Sequence, residues 1–255
     1  MKRLIRGELP GPCQSYLARK QAQVDSGRDV GLLWKQSRKT KKMGMVVTAL
    51  EKMTGVRRRC MYCEDSRGTT IEHFRPKSRY PEQSFVWLNL LLICQGCQSH
   101  KGDHFALDEK SAPLLIDPTA EDPWDFLFFD SRTGRVTGRF PTSGDQPHAK
   151  GFHTTREATL PLNIEPVTEG RLRTTRGLRR AVQRFLNQTP ENLSTSESED
   201  PLVEEIQDLD GYGLAAWFFE RDGQSESPFR ELKAHHRLTW EAVLCRLPQT
   251  NRARS

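Results

Sequence analysis

At 255 residues, 35% hydrophobic and 28% charged, with a mean hydropathy of −0.69, the chain is long enough to bury a sizeable core and too polar for a lipid environment. It has no run of roughly eighteen apolar residues, and its opening MKRLIRGELPGP lacks an apolar signal region, so neither a membrane span nor a secretory signal is supported; a cytoplasmic location with no membrane partner is expected. The net charge of +6 is segregated: residues 1–60 hold fifteen Lys and Arg against four acids, which suits a phosphate backbone, whereas residues 190–212 hold eight acids and no base, which a polyanion would repel.

Residues 11–26 (GPCQSYLARKQAQVDS) predict a short helix, entered near Pro12 at a first-turn position and stopped by Gly27. A second helix is predicted over 41–53, where Val46, Val47, Leu50 and Met53 share one apolar face and Gly55 suits the stop. Both read as scaffold with Lys and Arg outward. The run Arg57-Arg58-Arg59 leads directly into Cys60, so a polyanion held by the basic half would pass close to that cysteine.

The stretch 60–104 organises the chain. Cys60/Cys63 and Cys94/Cys97 form two Cys-x-x-Cys pairs, the spacing with which two tight turns complete the closed tetrahedral shell of structural Zn²⁺. Six cysteines with four spaced this way argue for metal rather than disulfides, and leave Cys13 and Cys245 as buried or idle thiols. Between the pairs, 69–74 (TTIEHF) predicts a strand ended by Pro76. The apolar run 85–93, interrupted by Asn89, begins as a strand or turn and ends at the second pair, and QSHKGDH after Cys97 suits the first turns of a helix.

Downstream, 113–118 (PLLIDP) predicts a short buried element, and Trp124 with Phe126, Leu127, Phe128 and Phe129 predicts core. Residues 131–140 (SRTGRVTGRF) predict a hairpin. A helix over 168–188 would place Leu172, Leu178, Val182 and Leu186 on one face and six arginines elsewhere; by itself this reads as a solvated amphipathic helix before it reads as a nucleic-acid contact. Residues 189–201 are polar and Ser-rich, a candidate linker. Beyond them an acidic helix, a Gly-rich turn at 211–213 and a last helix over 228–246 with Phe229, Leu232, Leu238 and Trp240 are expected. The acidic segment and the apolar last helix are poor DNA contacts and would face a protein partner. His148, His153, His235 and His236 read as ordinary surface or packed histidines; the last two, adjacent on a helix, point apart and cannot share a metal.

Hydrolysing a phosphodiester needs a base for the attacking water and a cation for the crowded phosphorane and leaving oxygen. His73 is the natural base and Glu72 a hard oxygen donor suited to Mg²⁺ or Mn²⁺. On a flat strand these neighbours point to opposite faces, so a twist, bulge or strand end is required for both to serve one site. Arg75, Lys77 and Lys101 are placed to hold phosphates. Each alone would read as a surface charge, and a lone Glu-His dipeptide as a surface pair; the bracketing knuckles change that reading.

With Asn89 between the knuckles and a helix after them, 60–104 resembles the HNH, or ββα-metal, endonucleases. CMYCE, IEHFRPKS, Trp87-Leu88-Asn89-Leu90, the second Cys pair followed by His100-Lys101-Gly102-Asp103, and the opening MKRLIRGELPGP look like the PtuB-like HNH proteins of Septu and retron anti-phage systems, over about the first 105 residues. The resemblance implies His73 as general base and Glu72 as ligand of a catalytic Mg²⁺ or Mn²⁺, where the superfamily more often has Asp. It further implies Asn89 holding the loop, Cys60, Cys63, Cys94 and Cys97 on structural zinc, and a PtuA-like ATPase partner. The third signature position, usually Asn or His, is Gln98 here, which leaves Gln98, His100 or His104 to complete the metal site.

The expected fold is α+β, mainly helical: a basic N-terminal helical region (1–59), a ββα-metal HNH core with a four-Cys structural zinc (60–110), an α/β extension (111–189), and an acidic linker with a helical C-terminal region (190–255). The expected function is metal-dependent hydrolysis of DNA, with RNA as the other substrate, in an anti-phage complex with an ATPase. The alternatives are a zinc-stabilised adaptor that binds nucleic acid or the ATPase without catalysis, and a free-standing restriction nuclease.

Overall fold

Proline in a first turn, hydroxyl and carboxylate caps and glycine stops set the N-terminal helices. The computed structural model describes residues 1–141, 146–188 and 201–247. Helix α1 (Gly11–Asp25) has its proline in the first turn and buries Cys13, Tyr16 and Leu17. Helix α3 (Lys41–Met53) starts on the Thr40 side chain, which accepts from the Met43 amide, and buries Met43, Val46 and Leu50 against α1. Between them lies α2 (Val30–Ser37), which the sequence reading missed; Asp29 caps it by accepting from the Leu32 amide at 2.6 Å.

Strand β1 (Thr70–His73) pairs antiparallel with β2 (Leu90–Ile93), Thr70 opposite Ile93 and His73 opposite Leu90. Each strand has only four residues, and a two-stranded ribbon that short is marginal by itself in water. All of β2 is buried, and α3 packs on it. Helix α4 (Gln95–Lys101) follows β2 at once and lies against β1, so the local order is strand, strand, helix, as expected, but the helix is capped by Cys94, takes in Cys97 and ends at Lys101 rather than starting after Cys97. Among the described residues the fold is mainly helical with two small sheets.

Segment 113–118 is buried through Leu115 and Ile116 but forms neither strand nor helix; the Ile116 amide is satisfied by the Thr154 hydroxyl. Most of the aromatic run 126–129, from Leu127 on, is itself a hairpin strand. Strands β3 (Leu127–Asp130) and β4 (Arg135–Gly138) pair antiparallel, so side chains alternate: Leu127 and Phe129 are buried while Phe128 is 41% exposed, correcting the expectation that the whole run is core. The turn closes at Gly134, whose φ of +72° and 2.4 Å gap between an added Cβ and the Thr168 carbonyl oxygen admit no side chain.

After helix α5 (Ala149–Thr155), helix α6 (Glu165–Gln188) runs three residues ahead of its predicted start. Its arginines do not all face water: Arg171 is fully buried and donates to the carbonyls of Gly134 and Leu162, and Arg179 holds Ser131 and Glu226. The predicted linker at 189–201 lies outside the described residues except for Pro201, which opens the next helix. Helix α7 (Pro201–Leu209) is the acidic helix, and α8 (Leu214–Glu220), unforeseen, carries Trp217, Phe218 and Phe219 into the core. The predicted last helix is two, α9 (Phe229–His235) and α10 (Arg237–Arg246), broken where His236 leaves helical geometry at φ −134°, ψ 63°; Leu238 is consequently 47% exposed while Trp240 is buried. No helix among the described residues is long and apolar enough to cross a membrane.

Candidate metal centre and adjoining pocket

The first cysteine pair sits on a turn before β1 and the second on the N-terminus of α4. The Cys60 amide donates to the Ser66 carbonyl and the Met61 amide to Leu92, which fastens the first turn to β2; Cys94 Sγ accepts from the Cys97 amide at 3.4 Å. Cys60, Cys63, Cys94 and Cys97 are all buried, and their four sulfurs lie within 4.8 Å of one another. Cys63 and Cys94 Sγ are 3.8 Å apart, the edge of about 3.8 Å that a tetrahedron with Zn–S bonds of about 2.3 Å requires. Desolvation pushes the Cys60 thiol well up, whereas the hydrogen bond from Cys60 holds Cys63 down to about 7. Buried thiols sharing protons this way form a soft donor set that can hold a structural metal such as zinc. Among the described residues it is the one group of three or more His, Cys, Asp or Glu donors close enough to share an ion.

Glu72 and His73 are buried at the end of β1, and both line one open pocket of about 510 Å³. His73 is the last strand residue, so the pleat does not force the pair to opposite sides. His73 Nε2 is 2.9 Å from the Ser84 carbonyl oxygen. A carbonyl only accepts, so Nε2 carries the proton and the neutral ring presents Nδ1 as acceptor. Burial holds this imidazole down to about 3, partly offset by the Ser84 bond. The Trp34 ring packs on it with centroids 4.3 Å apart.

Asn89 staples the segment between the strands. Its amide nitrogen donates to the carbonyls of Arg75 (3.1 Å) and Gln83 (2.9 Å), and its oxygen accepts from the Arg75 amide at 2.7 Å. Ser84 follows directly on Gln83, so this staple also fixes the carbonyl that orients His73.

Lys101, expected at a phosphate, is fully buried instead. Its Nζ lies 2.9 Å from Glu72 Oε1 and 2.9 Å from the His73 carbonyl oxygen. Gln98 Nε2 stands 3.5 Å from Glu72 Oε2, and Gln98 lines the pocket. His100 and His104 do not line it: His100 is exposed with Nδ1 3.0 Å from the Gly96 carbonyl oxygen, and His104 is exposed with His153 in its electrostatic neighbourhood. Asp103 does line it, because Gly102 (φ +46°) ends α4 and turns the chain back. Glu72, Asp103 and the Gln98 amide are thus the hard oxygen donors of the pocket, the kind Mg²⁺ takes while keeping several waters. Lys77 lines the pocket as well, whereas the Arg75 guanidinium stacks over Tyr80 and Phe105, 5.4 and 5.3 Å from their centroids.

The arginines before Cys60 are likewise engaged: Arg57 donates to the Asp208 carbonyl, Arg58 pairs with Glu51, and Arg59 donates to the Asp65 carbonyl and lies over Tyr212. The cations missed by sequence reasoning are Lys35 on α2 and Arg38 at its C-cap, which line the same pocket as Lys77. The Asp29 cap was the available signal.

Fold and site together define a mainly helical chain in which a four-thiol centre abuts a buried Glu-His pair at a ribbon end. No family model matches the chain. It is similar to the Septu protein PtuB of Bacillus thuringiensis, 40% identical over 70 residues, which is 26% of each chain. The matched stretch therefore spans about a quarter of that relative, and it supports a Septu-related family.

Proposed function

We propose that this chain is a metal-dependent endonuclease of the HNH type that hydrolyses phosphodiester bonds of DNA. The observation that carries the reading is His73, held neutral with Nε2 on the Ser84 carbonyl and Nδ1 free to accept, next to Glu72 in a pocket clamped by the four-thiol centre. In this mechanism Nδ1 takes a proton from the attacking water, the water oxygen bonds to phosphorus, and the P–O bond to the leaving sugar oxygen breaks. A divalent ion held by Glu72, Gln98 and Asp103 would supply positive charge to the phosphorane and the leaving oxygen. Asn89 keeps the Ser84 carbonyl in place, and zinc on the four cysteines fixes the ribbon against α4.

Purified chain should nick or linearise plasmid in Mg²⁺ or Mn²⁺, and His73→Ala should abolish this with zinc content unchanged. Inertness of the chain on DNA and RNA, alone and with an ATPase partner, would overturn the reading. Similarity to a Septu protein supports a role in anti-phage defence and a partnership with a PtuA-like ATPase. Co-expression followed by size exclusion tests the partnership, with loss of complex on removal of residues 190–255 as the expected result.

A second reading, a zinc-stabilised adaptor without catalysis, is favoured by one observation: Lys101 already occupies an oxygen of Glu72. Mn²⁺ titration separates the two, since an adaptor has no Mn²⁺ site that Glu72→Ala removes.

A further inference from the structure

Helix α2 turns one continuous face to the pocket. Gly31, Trp34, Lys35 and Arg38 all line it, and their spacing of i, i+3, i+4 and i+7 is one side of an α-helix. The opposite side is anchored by buried Leu33 and Ser37, so the helix cannot roll its pocket face away without exposing them. Trp34 fixes the distance, packing on His73 at 4.3 Å and on Phe85 at 5.2 Å between centroids. Lys35 and Arg38 are exposed where they line the pocket, and Lys77, in the segment after β1 beside Pro76, lines it as well.

A cation at the end of a helix has a structural reason of its own, because the dipole favours it there. That reason does not require the cation to line a pocket or to lack a carboxylate. Helix α2 carries no acid, and Lys35, Arg38 and Lys77 have no ion pair among the described residues. Elsewhere the chain pairs its cations freely: Arg58 with Glu51, Arg139 with Asp222, Arg179 with Glu226, Arg221 with Asp122. The Glu72 charge in the pocket floor is met by Lys101, so the rim cations face Asp103 as the remaining carboxylate of the lining. Three cations lining one pocket with no ion pair of their own among the described residues suit a ligand with several anionic groups spaced along a chain.

We propose that α2 is a phosphate clamp: Lys35 and Arg38 hold nucleic-acid phosphates flanking the one presented to His73, with Lys77 holding the backbone on the other side. This deepens the nuclease reading and rests on it for the identity of the polyanion. Contacts of this kind set affinity and register and read no base, so binding should be indifferent to sequence.

The test is Lys35→Gln/Arg38→Gln in the full chain, against Lys52→Gln/Lys110→Gln as a control pair of exposed lysines outside the pocket. Binding of fluorescent DNA and RNA oligonucleotides is followed across a salt series, alongside plasmid cleavage and zinc content. The α2 variant should lose about tenfold in affinity near physiological salt, and the slope of log K against log salt should shrink by about 2, one released counterion per phosphate contact. KM should rise with kcat within about twofold, zinc content should not change, and the control pair should behave as wild type. An α2 variant with the affinity and slope of the control pair overturns the clamp while leaving the nuclease reading intact. Wild type that binds with this α2 dependence but never cuts overturns the nuclease and keeps the clamp; wild type that binds no nucleic acid overturns both.

Discussion

The metal-centre half and the aromatic half of the molecule close their cores by different means. Around the four thiols the regular structure is slight: two strands of four residues, a seven-residue helix and a cysteine turn held by a few backbone bonds. The C-terminal half instead packs ring on ring. Phe218 stacks on Phe229 at 4.3 Å, Trp240 lies 4.6 Å from Phe219, and Trp124 lies 5.3 Å from Trp217. A region that must bury Glu72, His73, Asn89 and Lys101 spends core volume on groups that cost free energy to desolvate, and a metal held by the four thiols would make up the difference. The aromatic half buries a charge as well, Arg171 on two backbone carbonyls, but is otherwise filled mainly with apolar side chains and holds largely by buried area.

The sharpest way to break the symmetry is to remove the metal. Chelation, or Cys97→Ser, should collapse the knuckle half, since a structural zinc contributes on the order of 10 kcal/mol to a small site. Hydrogen exchange should then show protection lost over 60–104 and kept over α8–α10. Uniform loss would show that the halves do not differ in this way.

Lys101→Met should cost about 3–5 kcal/mol, because it strands the buried Glu72 carboxylate. Lys101→Met/Glu72→Gln should recover most of that in urea unfolding. No recovery in the double variant would mean the loss comes from packing rather than charge.

In the aromatic half, Phe229→Ala should cost about 3–4 kcal/mol with zinc content unchanged, as a cavity among Phe218, Phe219 and their neighbours. Smaller and local, Asn89→Ala should cost about 2 kcal/mol by leaving the Arg75 amide and two carbonyls unpaired. Its signature is faster exchange over 75–84, and unchanged exchange there would refute the staple.

The smallest change joins the halves. Tyr212 donates to Asp65 on the cysteine turn, and Tyr212→Phe should cost about 1 kcal/mol and, after chelation, separate the unfolding of the two halves further in urea. Unchanged unfolding of the chelated variant would show that this bond carries no coupling.

The linear order of residues was enough for everything that depends on spacing or local chemistry. The two Cys-x-x-Cys pairs, a strand through Glu72 and His73, a helix at the second pair, the stops at Gly27 and Gly55 and the acidic helix at α7 are all of that kind, because turn reach, pleat period and capping act within a few residues. What tertiary structure alone decided is where each charge ends up. Arg171 went inside, Arg57, Arg58 and Arg59 went to internal partners, Arg75 went onto two aromatic rings, and Lys101 went under Glu72. Lys35 and Arg38, on a helix too short to announce an apolar face, came to the pocket rim with Asp103. A charged side chain takes its role from whichever group reaches it across the fold, and that group can stand 151 residues away, as Asp208 does from Arg57. Local sequence holds no record of such a meeting, so the donors of the metal centre were legible and the electrostatics of the pocket were not.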